Sequence, residues 1–175
     1  MQKTTQTPVV RMMRPHEAGA VCALIAEVFD EFVAPEYCAA GAAHFHTFVQ
    51  PDVLQGRIAD GGMVFVAYMG DELAGIIEMR ACEHVVMLFT AARWQRRGIA
   101  RRLLDAALEE CRALNGTVRR LTVNSSPNAV PVYARLGFIA DGPEQERDGI
   151  RHTPMTKLCD ADAPPRFEPS AVRRG

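Results

Sequence analysis

The run Gln95-Arg96-Arg97-Gly98-Ile99-Ala100-Arg101-Arg102 collects residue types that bind an anion. Two adjacent arginines stop at a glycine, and an amphipathic run begins directly behind it. Ile99, Leu103, Leu104, Ala107, Leu108 and Cys111 make one apolar stripe, opposite Arg101, Arg102, Asp105, Glu109 and Arg112. The start of a helix exposes unpaired N–H groups and a partial positive charge, which together attract anions. Gly98 lets the backbone approach a ligand with no Cβ in the way, and Arg96 and Arg97 add full charges beside it. Cations at this end oppose the helix dipole, at roughly a few tenths of a kcal/mol each. Four arginines here therefore imply a compensating anion, a phosphate above all, or a solvated basic turn whose cost the helix tolerates.

A chain of 175 residues has room for one domain with a real core. With 48% hydrophobic and 23% charged residues it has the composition of a globular domain. The formal net charge of −1 argues against a general grip on nucleic acid or membrane. The arginine cluster is local, with no aromatic platform interleaved for stacking bases. Cys22, Cys38, Cys82, Cys111 and Cys159 are scattered, with no Cys-x-x-Cys pair and no zinc spacing, so reduced thiols are expected. His44 and His46 fall on different faces of a helix, and no metal site is expected. No secretory apolar run or bilayer-length segment is present, so the expected compartment is the cytoplasm.

The elements that must position these residues follow from periodicity and turn signals. Val9 to Met13 reads as a strand, and Ala18 to Phe32 as a helix with Val21, Leu24, Ile25, Val28 and Phe29 at helical spacing. A weaker helix is expected over Tyr37 to Val49, ending before Pro51. Met63 to Met69 and Glu72 to Arg80 form a hairpin around Gly70-Asp71, and His84 to Thr90 completes a meander. The long helix runs from Gly98 to Asn115-Gly116. Arg119 to Asn124 is a strand, and Ser126-Pro127 opens a short helix that ends at Leu136 before Gly137. Two last strands, Phe138 to Ala140 and Arg151 to Leu158, flank an Asp148-Gly149 turn. The Pro-rich, charged tail after Cys159 is expected to be disordered. The class is mixed α+β: a central sheet with helices on its faces, one domain over residues 1–158.

The strand-turn-helix VVMLFTAARWQRRGIARRLL resembles motif A of the GCN5-related N-acetyltransferases (GNAT), whose core is Q/R-x-x-G-x-G/A. Gln95-Arg96-Arg97-Gly98-Ile99-Ala100 matches it completely. NSSPNAVPVYARLGF, Asn124 to Phe138, is similar to the family's second cofactor segment, and DGIRHTPMTKL to its closing strand. The resemblance covers roughly Val9 to Leu158. The family's turn usually opens with a proline, where this chain has Ala91-Ala92. Two motifs at the right separation are stronger than either alone. The resemblance implies a mostly antiparallel sheet of about six or seven strands, splayed at the cofactor site. It implies acetyl-CoA as donor, with its pyrophosphate on the amides of Arg96 to Arg101 and its pantetheine arm along Leu88, Phe89 and Thr90. Asn124 and Asn128 would contact the cofactor arm, and no metal is called for.

The implied activity is acetyl transfer to a primary amine, with the amine attacking the thioester directly. A backbone N–H near Leu88 or Phe89 would be the oxyanion donor. Tyr133 matches the family's general acid, since a phenol of pKa about 10 can protonate a thiolate of similar basicity; a packed aromatic is the alternative. Glu78, which breaks the apolar strand GIIEM, and His84 are the candidates for taking the amine's proton, with a water relay or purely structural roles left open. Between Pro15 and Gly56 there is no Lys or Arg, while Glu17, Glu27, Asp30, Glu31, Glu36 and Asp52 are present. Phe29, Phe32, Tyr37, Phe45 and Phe48 add aromatic surface. In the family this region walls the acceptor, so a small cationic or peptidyl amine is expected. A non-catalytic acetyl-CoA sensor with the same fold is the alternative, and the oligomeric state stays open between monomer and homodimer.

Overall fold

The computed structural model describes residues 7–159. The chain order is β1 (Val9–Met12), α1 (Ala18–Phe32), α2 (Ala39–Phe48), α3 (Pro51–Ala59), β2 (Gly62–Met69), β3 (Glu72–Arg80), β4 (His84–Thr90) and α4 (Ile99–Asn115). Then come β5 (Arg120–Ser125), α5 (Val130–Arg135), β6 (Ile139–Ala140), β7 (Gln145–Arg147) and β8 (Ile150–Leu158). The sheet runs β1-β2-β3-β4-β5-β8-β6, with β7 added on β8. Every pairing is antiparallel except β4 with β5. The mixed α+β class and the mostly antiparallel sheet agree with expectation, and the strand count is eight.

Period-2 alternation in the central strands builds a core on each face of the sheet. Phe65, Ala67, Ile77 and Met79 pack with the apolar stripe of α4, while Val64, Val66 and Ile76 pack with Val21 and Ile25 of α1 and Leu54 of α3. The approach of α4 to β3 requires a glycine. A Cβ on Gly75 would lie 2.8 Å from the Phe89 carbonyl oxygen and 3.2 Å from side chains of Ile99 and Leu103.

The expected helix over residues 37–49 is present as α2, preceded by a short 3-10 turn, Ala34–Glu36. Three features depart from the sequence reading. α2 ends before Pro51 as expected, but Pro51 also opens an unexpected further helix, α3, at its first position, where a missing N–H costs nothing. β7 forms a hairpin with β8 around Asp148-Gly149, whose φ angles of 54° and 76° suit the Asp-Gly turn recognised in the sequence. Cys82 and Cys111 are not reduced thiols but a disulfide with Cα atoms 5.4 Å apart. The bridge ties the β3–β4 turn, where Ala81 and Cys82 hold positive φ, to the inner face of α4. Spacing in sequence cannot show that juxtaposition. The tail after Cys159 lies outside the described residues.

Candidate active site

The site begins where two strands part company. β4 and β5 are parallel neighbours only at His84↔Thr122 and Val85↔Val123. On its other side β4 pairs Met79↔Val85 and Glu78↔Met87, which leaves Val86 as the extra residue of a bulge. A bulge bends its strand and increases local twist, and pairing with β5 ends at this residue. Beyond it β5 continues against β8 through Ser125↔Thr153. The edge of β4 from Val86 to Thr90 therefore has no strand partner toward β5. A cavity of about 910 Å³ opens there, a volume in the range that holds small ligands.

One end of the cavity is the turn into α4. The Gln95 carboxamide donates to the Thr90 carbonyl oxygen at 3.2 Å, closing the end of the strand. Arg96 and Gly98 are both left-handed, with φ of 62° and 79°. A Cβ on Gly98 would meet no atom within 4 Å, so the glycine serves the backbone angle and open access. No side chain caps the helix, and its first turn has no carboxylate. Uncapped amides, positive φ before the helix and a basic surround are features that suit an anion. Arg96, Gly98, Ile99, Ala100 and Arg101 line the cavity. Arg101 also donates to the Arg135 carbonyl oxygen at 2.7 Å, binding α4 to the end of α5. Arg97 does not line the cavity: its guanidinium lies 4.9 Å over the ring of Trp94. Trp94 in turn donates to Glu72 at 2.5 Å, and Arg93 pairs with the same carboxylate.

Tyr133 of α5 lines the cavity. It is 5% exposed, sits edge-on to Phe138 at 5.3 Å, and burial pushes its phenol well above the ordinary value. Leu88, Phe89, Thr90 and Asn124 line the same space. Asn128 also lines it, but its carboxamide is already engaged: Nδ2 donates to the Phe32 carbonyl oxygen at 2.8 Å, and Oδ1 accepts from Ser126 at 2.7 Å. The far end is aromatic. Phe29 stacks on Phe45 at 3.8 Å, Tyr37 meets Phe29 edge-on at 5.6 Å, and Phe45 reaches Phe89 at 6.1 Å. Phe32 completes that wall.

Glu78 and His84, the expected proton acceptors, do not line the cavity. Glu78 is 1% exposed and lies on the α1–α3 face of the sheet, where Arg57 donates to both its oxygens at 2.7 and 3.0 Å. Arg57 stacks on Phe48 at 3.8 Å and donates to the Phe48 carbonyl oxygen. The charge that interrupts the apolar strand is thus a buried ion pair. His84 bonds Thr122 Oγ1 through Nδ1 at 2.8 Å, and burial, with Arg80 adding, lowers its pKa.

The acidic segment does not face the site either. Among the described residues, the charged ones lining the cavity are Arg96, Arg101 and Arg135. Glu17 accepts from Arg11 at 2.7 and 2.8 Å, from the Arg14 N–H and from the Tyr68 hydroxyl. The Arg11 guanidinium above all holds its carboxyl well below the usual range. Asp30 pairs with His46 at 2.8 Å. Trp94 and Arg135 were not anticipated. Trp94 has a local signal, the single tryptophan of the chain directly before the QRRG run, whereas Arg135 has none.

Residues 33–159 match a family model described as an acetyltransferase (GNAT) domain. The chain belongs to the GNAT acetyltransferase family. No curated protein matches it in sequence. Its fold is similar to that of a GCN5-related N-acetyltransferase from Rhodopseudomonas palustris, with a TM-score of 0.75 at 22% identity over 91% of this chain and 100% of the other. It is also similar to the PaiA N-acetyltransferase of Thermoplasma acidophilum in complex with coenzyme A, at 0.71 and 16% identity over 87% and 99%. A ribosomal-protein-S5-alanine acetyltransferase from Vibrio fischeri aligns at 0.61 and 17% identity over 90% and 96%. In this GNAT domain the Gln95–Ala100 motif, all but Arg97, lines the cavity at which β4 and β5 part. Among the described residues no helix is long and apolar enough to cross a membrane, and no cluster of His, Cys, Asp or Glu suits a metal ion.

Proposed function

We propose that this GNAT domain transfers the acetyl group of acetyl-CoA directly to a primary amine. The observation that carries the reading is the parting of β4 from β5 at Val86 onto an uncapped α4 amide cradle, with the Tyr133 phenol in the same cavity. The amides from Arg96 to Arg101 fit a diphosphate because they combine unpaired donors, positive φ at Arg96 and Gly98, and no carboxylate in the first turn. The side chain of Arg96 adds charge there. The free edge of β4 suits an extended amide-bearing arm, which can pair with it as an added strand.

Acetyl-CoA supplies an activated acyl group on sulfur. Leu88 or Phe89 offers a backbone N–H to the carbonyl oxygen as that oxygen gains charge. The amine nitrogen bonds to the carbonyl carbon, the carbon–sulfur bond breaks, and the sulfur takes its proton from the Tyr133 hydroxyl. Burial keeps that phenol protonated until it is needed. The proton released by the amine passes to water, because Glu78 and His84 are held elsewhere, and water returns a proton to the Tyr133 phenolate. Titration calorimetry with coenzyme A, followed by thiol release from acetyl-CoA across a panel of amines, tests the reading. Binding with thiol release supports it. Binding without release from any amine would leave a sensor, and absence of binding would end the proposal.

A further inference from the structure

We infer that the acceptor is a small primary amine carrying an aromatic or similarly bulky apolar group, without a second charge. This rests on the acetyl-transfer reading above and names the substrate class for the same site. The cavity has two ends of opposite chemistry. Its charged lining residues, Arg96, Arg101 and Arg135, are all basic, and Arg96 and Arg101 belong to the α4 end. The end walled by α1 and α2 is apolar: Phe32, Tyr37, Phe45, Val86 and Phe89 each keep partial exposure around the buried floor of Phe29.

A cationic tail entering this end would lose water and find no carboxylate in the lining, which is costly. A ring or branched chain would gain burial and edge or face contacts with the aromatic side chains. The same apolar surround favours the uncharged form of the reacting amine, the form that attacks. Glu36, beside Tyr37, is not part of the lining, and its buried Oε2 has no hydrogen-bond partner.

The elements beside the aromatic end are in direct contact with one another. Cys38, the residue after Tyr37, lies with its Sγ 3.7 Å from the Gly149 carbonyl oxygen. A Cβ on Gly41 would fall 2.6 Å from that oxygen, so the start of α2 rests directly on the β7–β8 turn. The Asn128–Phe32 hydrogen bond joins α1 to the segment before α5. An extended polypeptide would need a gap between these elements, whereas a compact amine needs only the cavity.

The test compares kcat/KM, by thiol release from acetyl-CoA, for 2-phenylethylamine, ethanolamine, putrescine and a decapeptide with an N-terminal phenylalanine. Burial of one phenyl ring predicts an advantage of about 30-fold for 2-phenylethylamine over ethanolamine. Putrescine and the peptide are expected to be poorer still. Phe32→Ala should reduce the phenyl advantage while leaving coenzyme A binding intact, and Glu36→Gln should leave the order of preference unchanged. A preference for putrescine, parity of the peptide, or loss of discrimination in Glu36→Gln would overturn this inference while acetyl transfer stands. Coenzyme A binding without thiol release from any amine would overturn both.

Discussion

The Asn128 side-chain amide donates to the Phe32 carbonyl oxygen across 96 positions of sequence, at 2.8 Å. This bond joins the last turn of α1, which carries the aromatic wall, to the turn that leads into α5 and Tyr133. The aromatic end of the cavity and the segment that carries Tyr133 are thereby held to one another. The carboxamide expected to touch the cofactor lines the cavity and also makes two hydrogen bonds within the protein.

Asn128→Ala should therefore act on the acceptor more than on the cofactor. Loss of one such bond predicts a rise of about 3- to 10-fold in acceptor KM, with the coenzyme A Kd unchanged. Steady-state kinetics beside titration calorimetry checks it, and a selective loss of coenzyme A affinity would restore Asn128 to the cofactor site.

Gly98 separates backbone geometry from charge. Gly98→Ala meets no steric obstacle, yet it places a Cβ on a backbone with φ of 79°, at about 1 kcal/mol. Its melting temperature should fall by roughly 3 °C. Gly98→Glu sets a carboxylate among the amides and should weaken coenzyme A at least about tenfold, equivalent to about 1.4 kcal/mol. Equal affinities for the two variants would remove the anion cradle from the mechanism.

The Tyr133 phenol stays protonated beyond its ordinary range because it is buried. An acid acts only in its protonated form, so its contribution persists below the folded pKa and is lost as pH rises through it. kcat should thus show no basic decline at pH 10, where an ordinary phenol of pKa about 10 would be half ionised. Tyr133→Phe should lower kcat by about a hundredfold or more while retaining coenzyme A. A basic limb centred on the ordinary phenol value, or an active phenylalanine variant, would discard this role.

Glu78→Gln breaks the charge balance of a carboxylate that is 1% exposed against Arg57. The expected cost is about 3 kcal/mol in unfolding free energy, with kcat preserved at a temperature where the variant is folded. Denaturant melts paired with thiol-release assays separate the outcomes: normal stability with lost turnover would return Glu78 to proton transfer.

The glycine-hinged helix start, the hairpins and the long helix were legible because each depends on neighbours in sequence. Gly98 and its arginines, the 3.6-residue stripe from Ile99 to Cys111, and the Asp148-Gly149 turn are local patterns with local physical causes. α3 was missed at Pro51, because a proline that follows one helix can also stand at the first position of the next. Residue types alone mislead where burial decides. Glu78 is a hydrophilic residue in an apolar strand, which suits a base as well as an ion pair until Arg57, 21 positions away, is found on it.

The sequence by itself determined that a glycine-hinged helix start would meet an apolar strand, and that a tyrosine-bearing short helix would follow the next one. Backbone propensity and side-chain period act over a few residues and can be read there. Only the tertiary structure decided that a bulge at Val86 parts β4 from β5, and that Cys82 meets Cys111. It also decided that the acidic side chains of the N-terminal segment leave an aromatic lining to face the cavity. Those outcomes depend on which distant surfaces pack together, and burial, charge pairing and strand divergence exist only once they have.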